Sequence, residues 1–278
     1  MAMTRADANR AFLPEEVGQL IIQPVQRESI AFQTATDVPT SAGTFRIPIV
    51  AEDPSAEWVA EGEEITPSDA ELDEEVVTPA KVAGLTVITR ELAEDSSPAA
   101  AQLVGLGIAR DIARKIDAAF FGNLPAPAPT GLAGLTGVQE VDAGQAWTNL
   151  DPFAEAISRA ETAGATLTAF VGNPADALAL TELKEQTGSN KPLLTPDPTM
   201  PTRRMIQGVP LYVSPAVDEG TVWGYDKERV HVVRREDTTL AVDYSAFFTS
   251  DRVAVRATMR VGFGFPHKAS IIKISLSE

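Results

Sequence analysis

SPAAAQLVGLGIARDIARKIDAAFFG, residues 97–122, is the stretch around which the rest of the chain can be placed. Ser97 can cap a helix, Pro98 suits its first turn, and Gly122 is a natural terminator. Val104, Ile108, Ile112, Ile116 and Phe120 recur every four residues, and Leu103 widens that apolar stripe. Arg110, Arg114, Lys115 and Asp117 are left for more exposed positions. A helix from Pro98 to Phe121 would be roughly 36 Å long at about 1.5 Å per residue. Gly105 and Gly107 weaken it in isolation, so it must lie along something that supports it. It reads as a spine.

The 278 residues carry 44% apolar and 22% charged side chains, enough for a real core divided between two lobes. With no cysteine, disulfides and thiolate metal sites are excluded. No apolar run approaches the roughly 20 residues of a membrane span, and MAMTRADANR lacks a signal-peptide core. The expectation is a cytoplasmic product without a membrane role. The net charge of −16 is concentrated: residues 45–95 hold 14 acids against three bases, a net of −11. Such a chain repels the nucleic-acid backbone, which argues against tight DNA binding and leaves enclosure of DNA open.

Residues 1–44 read as an arm, with a short helix from Pro14 to Ile22, a break at Pro24 and an extended remainder, either an ordinary N-terminal extension or a segment ordered by a neighbouring subunit. FRIPIV (45–50) and VAGLTVIT (82–89) read as the two strands of a long hairpin. Its intervening tip is acidic, with Trp58 as its one aromatic. The plainer reading of that tip is a solvated surface. A Ca²⁺ site on Asp69, Glu71, Asp73, Glu74 and Glu75 lacks the glycine and terminal glutamate of an EF-hand loop. Residues 150–225 read as an α/β lobe, with helices begun by Asp151-Pro152 and Asn173-Pro174 and a strand at LYVSP. From Thr221 onward TVWGY, VHVVRR, TLAVDYSAFF, DRVAVRATMRVGFGF and ASIIKISL read as the strands on which the spine rests.

No catalytic constellation emerges. G-x-S-x-G, Walker and H-E-x-x-H patterns are missing, and Gly131, Gly134 and Gly137 lack a strand–turn–helix frame. His231 and His267 read as packing or surface residues, and Ser270-Ile-Ile-Lys273 matches S-x-x-K only by chance. No catalytic residue, cofactor or metal ligand is assigned. An enzyme built on the two lobes is disfavoured.

The order of arm, hairpin, spine, α/β lobe and β-rich return resembles the major capsid proteins of tailed bacteriophages with the HK97-type fold. FVGNPADALALTELKEQTGS, IQGVPLYVSPAV, VWGYDKERVHVVRREDTTLAVD and FFTSDRVAVRATMRVGFGFPHKAS carry the resemblance, supported by FLPEEV and VPTSAGTFRIPIV. It implies an α+β chain with an N-terminal arm (1–44), an E-loop hairpin (45–90), a P-domain with the spine (91–149), an A-domain (150–225) and C-terminal P-domain strands (226–278). It further implies hexamers and pentamers of this chain forming an icosahedral shell, assembled in the host cytoplasm, that encloses double-stranded DNA without sequence-specific binding. A portal is implied as partner, and the start of the chain almost directly at the arm implies a separate scaffolding protein. Some relatives weld subunits through a Lys–Asn isopeptide bond; here the hairpin has no lysine before Lys81 and no asparagine follows Asn190. The alternative is an encapsulin-type compartment shell of the same fold. The E-loop of that fold lies across a neighbour's P-domain. The expected intersubunit contacts therefore join Trp58, Glu61, Glu63, Glu64, Asp69, Glu71, Asp73, Glu74 and Glu75 to Arg234, Arg235, Arg252, Arg256 and Arg260.

Overall fold

A computed structural model describes residues 24–52, 56–64, 71–89, 99–186, 188–196, 204–236 and 238–277. The expected helix from Pro14 to Ile22, the Ser97 cap with Pro98, and Asp69 lie outside them. The spine, α2 (Ala99–Phe121), runs for 23 residues, about 34 Å. Ile108, Ile112, Ile116 and Phe120 are buried as the four-residue recurrence demands, and Ala109, Ala113 and Ala119 fill the gaps between them. This stripe lies on a five-stranded sheet, against β4 (Ala80–Thr89) and β13 (Arg252–Gly264). β13 pairs along one edge with β4, and along the other with β11 (His231–Arg235) and β12 (Thr239–Phe247). Beyond β11, β1 (Thr36–Thr40) adds in parallel.

The second lobe is a seven-stranded sheet in the order β5 (Gln139–Asp142), β14 (Ile272–Ser275), β10 (Thr221–Tyr225), β6 (Ala169–Gly172), β9 (Val209–Val213), β8 (Arg204–Ile206) and β7 (Thr195–Pro196). Helices α3 (Asp151–Thr162) and α4 (Pro174–Glu182) accompany it. Both start with proline in the first turn, and the Asn173 side chain accepts from the Ala175 amide as an N-cap. Within this lobe the buried Asp176 carboxylate accepts from Trp147 Nε1 at 2.8 Å and the Gly220 amide at 2.9 Å. The lobes meet at Phe120, whose ring sits 5.1 Å from Phe263 and 6.2 Å from Tyr225 at the end of β10.

Four expectations are corrected. The arm is not extended throughout: 24–28 is helical, α1 (Ile30–Thr34) follows, and β1 is paired within its own chain. The partner of β2 (Phe45–Glu52) is β3 (Glu71–Val77), whereas residues 82–89 belong to β4 and pair with β13. Two strands expected beneath the spine, β10 and β14, belong to the second sheet, where β14 also pairs with β5. Alternation identified these strands, but it is silent on which neighbour each one takes. Finally, Asp117 is not exposed.

Candidate assembly surfaces

Asp117 is only 7% accessible, on the spine flank that meets the arm. Ser29 Oγ donates to its Oδ1 at 2.5 Å, and the Ile30 and Ala31 amides donate at 3.0 Å each. The first free amides of α1 thus close on a carboxylate from 86 residues along the chain. Burial raises the Asp117 carboxyl above its ordinary range, and these three bonds offset that only in part. One turn later Thr34 Oγ1 meets Tyr225 Oη at 2.6 Å, a phenol that burial pushes far upward. The arm is therefore latched to both lobes before it enters the sheet.

The hairpin β2–β3 is a two-stranded sheet of its own. Its base is apolar: Ile47 and Val77 pack with Val233, Val38 and Phe45. Beyond the base its surface is acidic. Glu61, Glu63, Glu64, Asp73 and Glu74 are exposed, and Glu74 accepts from Arg46 across the hairpin at 2.5 Å. Trp58 has 105% of its reference accessibility, so it is not buried by any of the described residues. Leu72 is exposed as well, at 74%. Glu75 is turned inward and accepts from the Phe265 amide at 2.7 Å. Burial raises its carboxyl, against the Phe265 bond and the Lys268 charge.

The face of the five-stranded sheet opposite the spine is covered by the hairpin base at β1, β11 and the Gly262–Gly264 end of β13, and it is exposed along β4 at Ala83, Leu85 and Val87. Register places Arg252 beside Thr89, Ala254 beside Val87, Arg256 beside Leu85, Thr258 beside Ala83 and Arg260 beside Lys81. In β4 the odd-numbered residues point outward, and Leu85 is 63% accessible. This face is a band of small and aliphatic side chains carrying a row of cations. Arg256 also lies near exposed Asp243, whose carboxyl is held down mainly by hydrogen bonds from Ser245, with the arginine a smaller contribution.

At least five of the fourteen candidate contact residues make interactions within the chain. Arg234 reaches Asp37 of the arm at 3.2 Å, Glu75 holds Phe265, and Glu74 holds Arg46. Arg235 and Arg260 are also engaged internally. Arg252 and Arg256 stay exposed on the sheet face, and Trp58, Glu61, Glu63 and Glu64 stay exposed on the hairpin. The Glu71 backbone lies in β3. Asp117 escaped the sequence reading because nothing local marks its partner, whereas Gly262 and Gly264 within a strand are a readable sign of close approach. Among the described residues no group of three or more His, Cys, Asp or Glu could hold a metal ion, and no helix is long and apolar enough to cross a membrane.

The model of the phage capsid family matches residues 10–276. Among solved structures, the capsid of a native GTA particle computed with C5 symmetry aligns with a TM-score of 0.72 at 18% identity, covering 92% of this chain and 90% of that one. A structure from Mycobacterium phage Adephagia aligns at 0.74 and 16% identity, covering 100% and 99%. The virus-like particle from Pyrococcus furiosus aligns at 0.65 and 13% identity, covering 94% and 99%. These likenesses establish the HK97-like α+β fold. No curated protein matches in sequence.

Proposed function

The chain belongs to the phage capsid family, and from that premise we propose that it is a major capsid protein acting by self-assembly, as hexamers and pentamers of an icosahedral shell around double-stranded DNA. The observation that carries this reading is the pair of complementary surfaces on one subunit. An acidic hairpin presents a fully exposed Trp58, and a sheet face presents Leu85 and Val87 beside Arg252 and Arg256. Exposed apolar side chains with a charged surround are the mark of a protein–protein contact. Like-charged hairpins repel one another, so the acidic tip of one copy is directed to the cationic face of the next. Each exposed ion pair contributes only about 0–1 kcal/mol. A shell repeats the contact at every subunit, and complementarity governs register and encounter rate more than affinity.

Charge reversal tests it. Arg252→Glu should sharply lower the yield of particles in electron micrographs while the unassembled chain melts as the parent does. A second substitution, Glu63→Arg or Glu64→Arg, should restore part of the yield. Unfolding of the Arg252→Glu chain, or no rescue by any hairpin partner, would place the arginine in an internal role. Arg256→Glu is the less clean probe because Asp243 lies beside it.

The second reading is a cellular compartment shell, since the virus-like particle that shares this fold comes from a cellular organism, Pyrococcus furiosus. Nuclease-resistant double-stranded DNA inside native particles favours the phage capsid, and enclosed protein cargo favours the compartment. The missing lysine and asparagine also point to a shell held without covalent links. Boiled, denatured particles should run as one band near 29.6 kDa, and a ladder of higher bands would implicate Lys81.

A further inference from the structure

We propose that Gly262, Gly264 and Glu75 form a seat that fixes the angle at which the hairpin leaves its own subunit. β2 and β3 form a sheet separate from the five-stranded sheet, so the base is held by side-chain packing and isolated hydrogen bonds. Gly262 and Gly264, two residues apart in β13, present the same face to that base. A Cβ at position 262 would stand 2.7 Å from Val77 Cγ1 and 3.3 Å from the Pro79 Cα. At position 264 it would overlap Ile47 Cδ1 and stand 3.1 Å from Val77 Cγ2. Neither glycine has the positive φ that would itself require glycine, so a side chain here is opposed by contact alone: the Val77 and Ile47 side chains would have to shift to admit it, with the Pro79 backbone close behind at position 262. The third point of the seat is the Glu75 carboxylate, which accepts from the Phe265 amide one residue past Gly264.

Three fixed points at the base of a lever set the position of its far end. β3 is 7 residues long, about 20 Å at roughly 3.3 Å per residue, so a tilt of about 10° at the seat moves its end by roughly 3.5 Å. In a shell that displacement is the difference between meeting and missing the neighbour's sheet face. This consequence rests on the assembly reading above; the seat itself does not.

The absence of cysteine allows a direct measurement on the unassembled chain. Spin labels on Asp73→Cys in the hairpin and Glu161→Cys in the second lobe report one distance between two exposed positions. The parent should give a single narrow distribution. Gly264→Ala should shift it by more than its width, and adding Ile47→Val, which removes the overlapping Cδ1, should return it toward the parent. Glu75→Leu should broaden it, whereas Glu75→Gln, which retains an acceptor oxygen, should not. Should Gly264→Ala fail to fold, the two Glu75 variants decide the matter. An unchanged distribution in Gly264→Ala, a shift that Ile47→Val leaves in place, or equal behaviour of Glu75→Leu and Glu75→Gln would overturn the seat. Particle formation is scored separately. If the parent never assembles, the capsid reading fails while the distances still decide the seat; if the parent assembles, Gly264→Ala should yield fewer or misshapen shells.

Discussion

Replacing residues 50–73 by a short Gly-Ser turn is expected to abolish shell formation while barely moving the melting temperature of the unassembled chain. The deletion spares Phe45, Ile47, Glu75 and Val77, the residues through which the hairpin base packs on its own subunit. Among the described residues it removes, Trp58 and Leu72 are exposed, and the strand pairing lost is that of the hairpin with itself. An isolated two-stranded ladder adds little stability in water. The experiment compares calorimetry of the monomeric fraction with electron microscopy of the assembled one. Parent-like shells from the shortened chain would remove the hairpin from the assembly contact. A large fall in melting temperature would instead make it part of the core.

The second large effect is expected at Asp117. Asp117→Ala leaves the Ser29 hydroxyl and the Ile30 and Ala31 amides without their acceptor in a largely buried site. Each buried donor left unsatisfied costs about 1–3 kcal/mol, so destabilisation of at least about 3 kcal/mol is expected. The arm should detach first, seen as faster amide exchange over residues 30–40 than over the spine. Ser29→Ala should cost less, because the two amides keep their carboxylate. The pH dependence has a definite sign. Burial raises the folded carboxyl above its ordinary value of 3.8, so as pH falls the native chain takes up this proton before the unfolded chain does. The stability conferred is complete below about 3.8 and is lost as pH rises through the raised folded value. Denaturation of the parent and Asp117→Asn across a pH series should therefore show the parent gaining on the variant as pH falls from neutral. A difference that shrinks on acidification would show that hydrogen bonding outweighs burial at this carboxylate.

Elements whose signals are local can be read from the chain without its fold. The spine announced itself because every fourth residue from Ile108 to Phe120 had to face one way, and β13 did so because its alternation left Arg252 and Arg256 on one side. Asn173-Pro174 marked a helix start through chemistry contained within three residues. The acidic, Trp-bearing tip was legible as a segment whose composition denies it a core of its own. Tertiary structure decided which elements meet. Periodicity names the face a strand buries, never the strand beside it, so nothing local distinguished residues 71–77 from 82–89 as the partner of β2, or sent β14 back to the second lobe. The same limit hid Asp117. On a helical wheel a charged residue beside Ile116 belongs to solvent, and only α1, arriving from 86 residues away with unpaired amides, gives its carboxylate a reason to be buried.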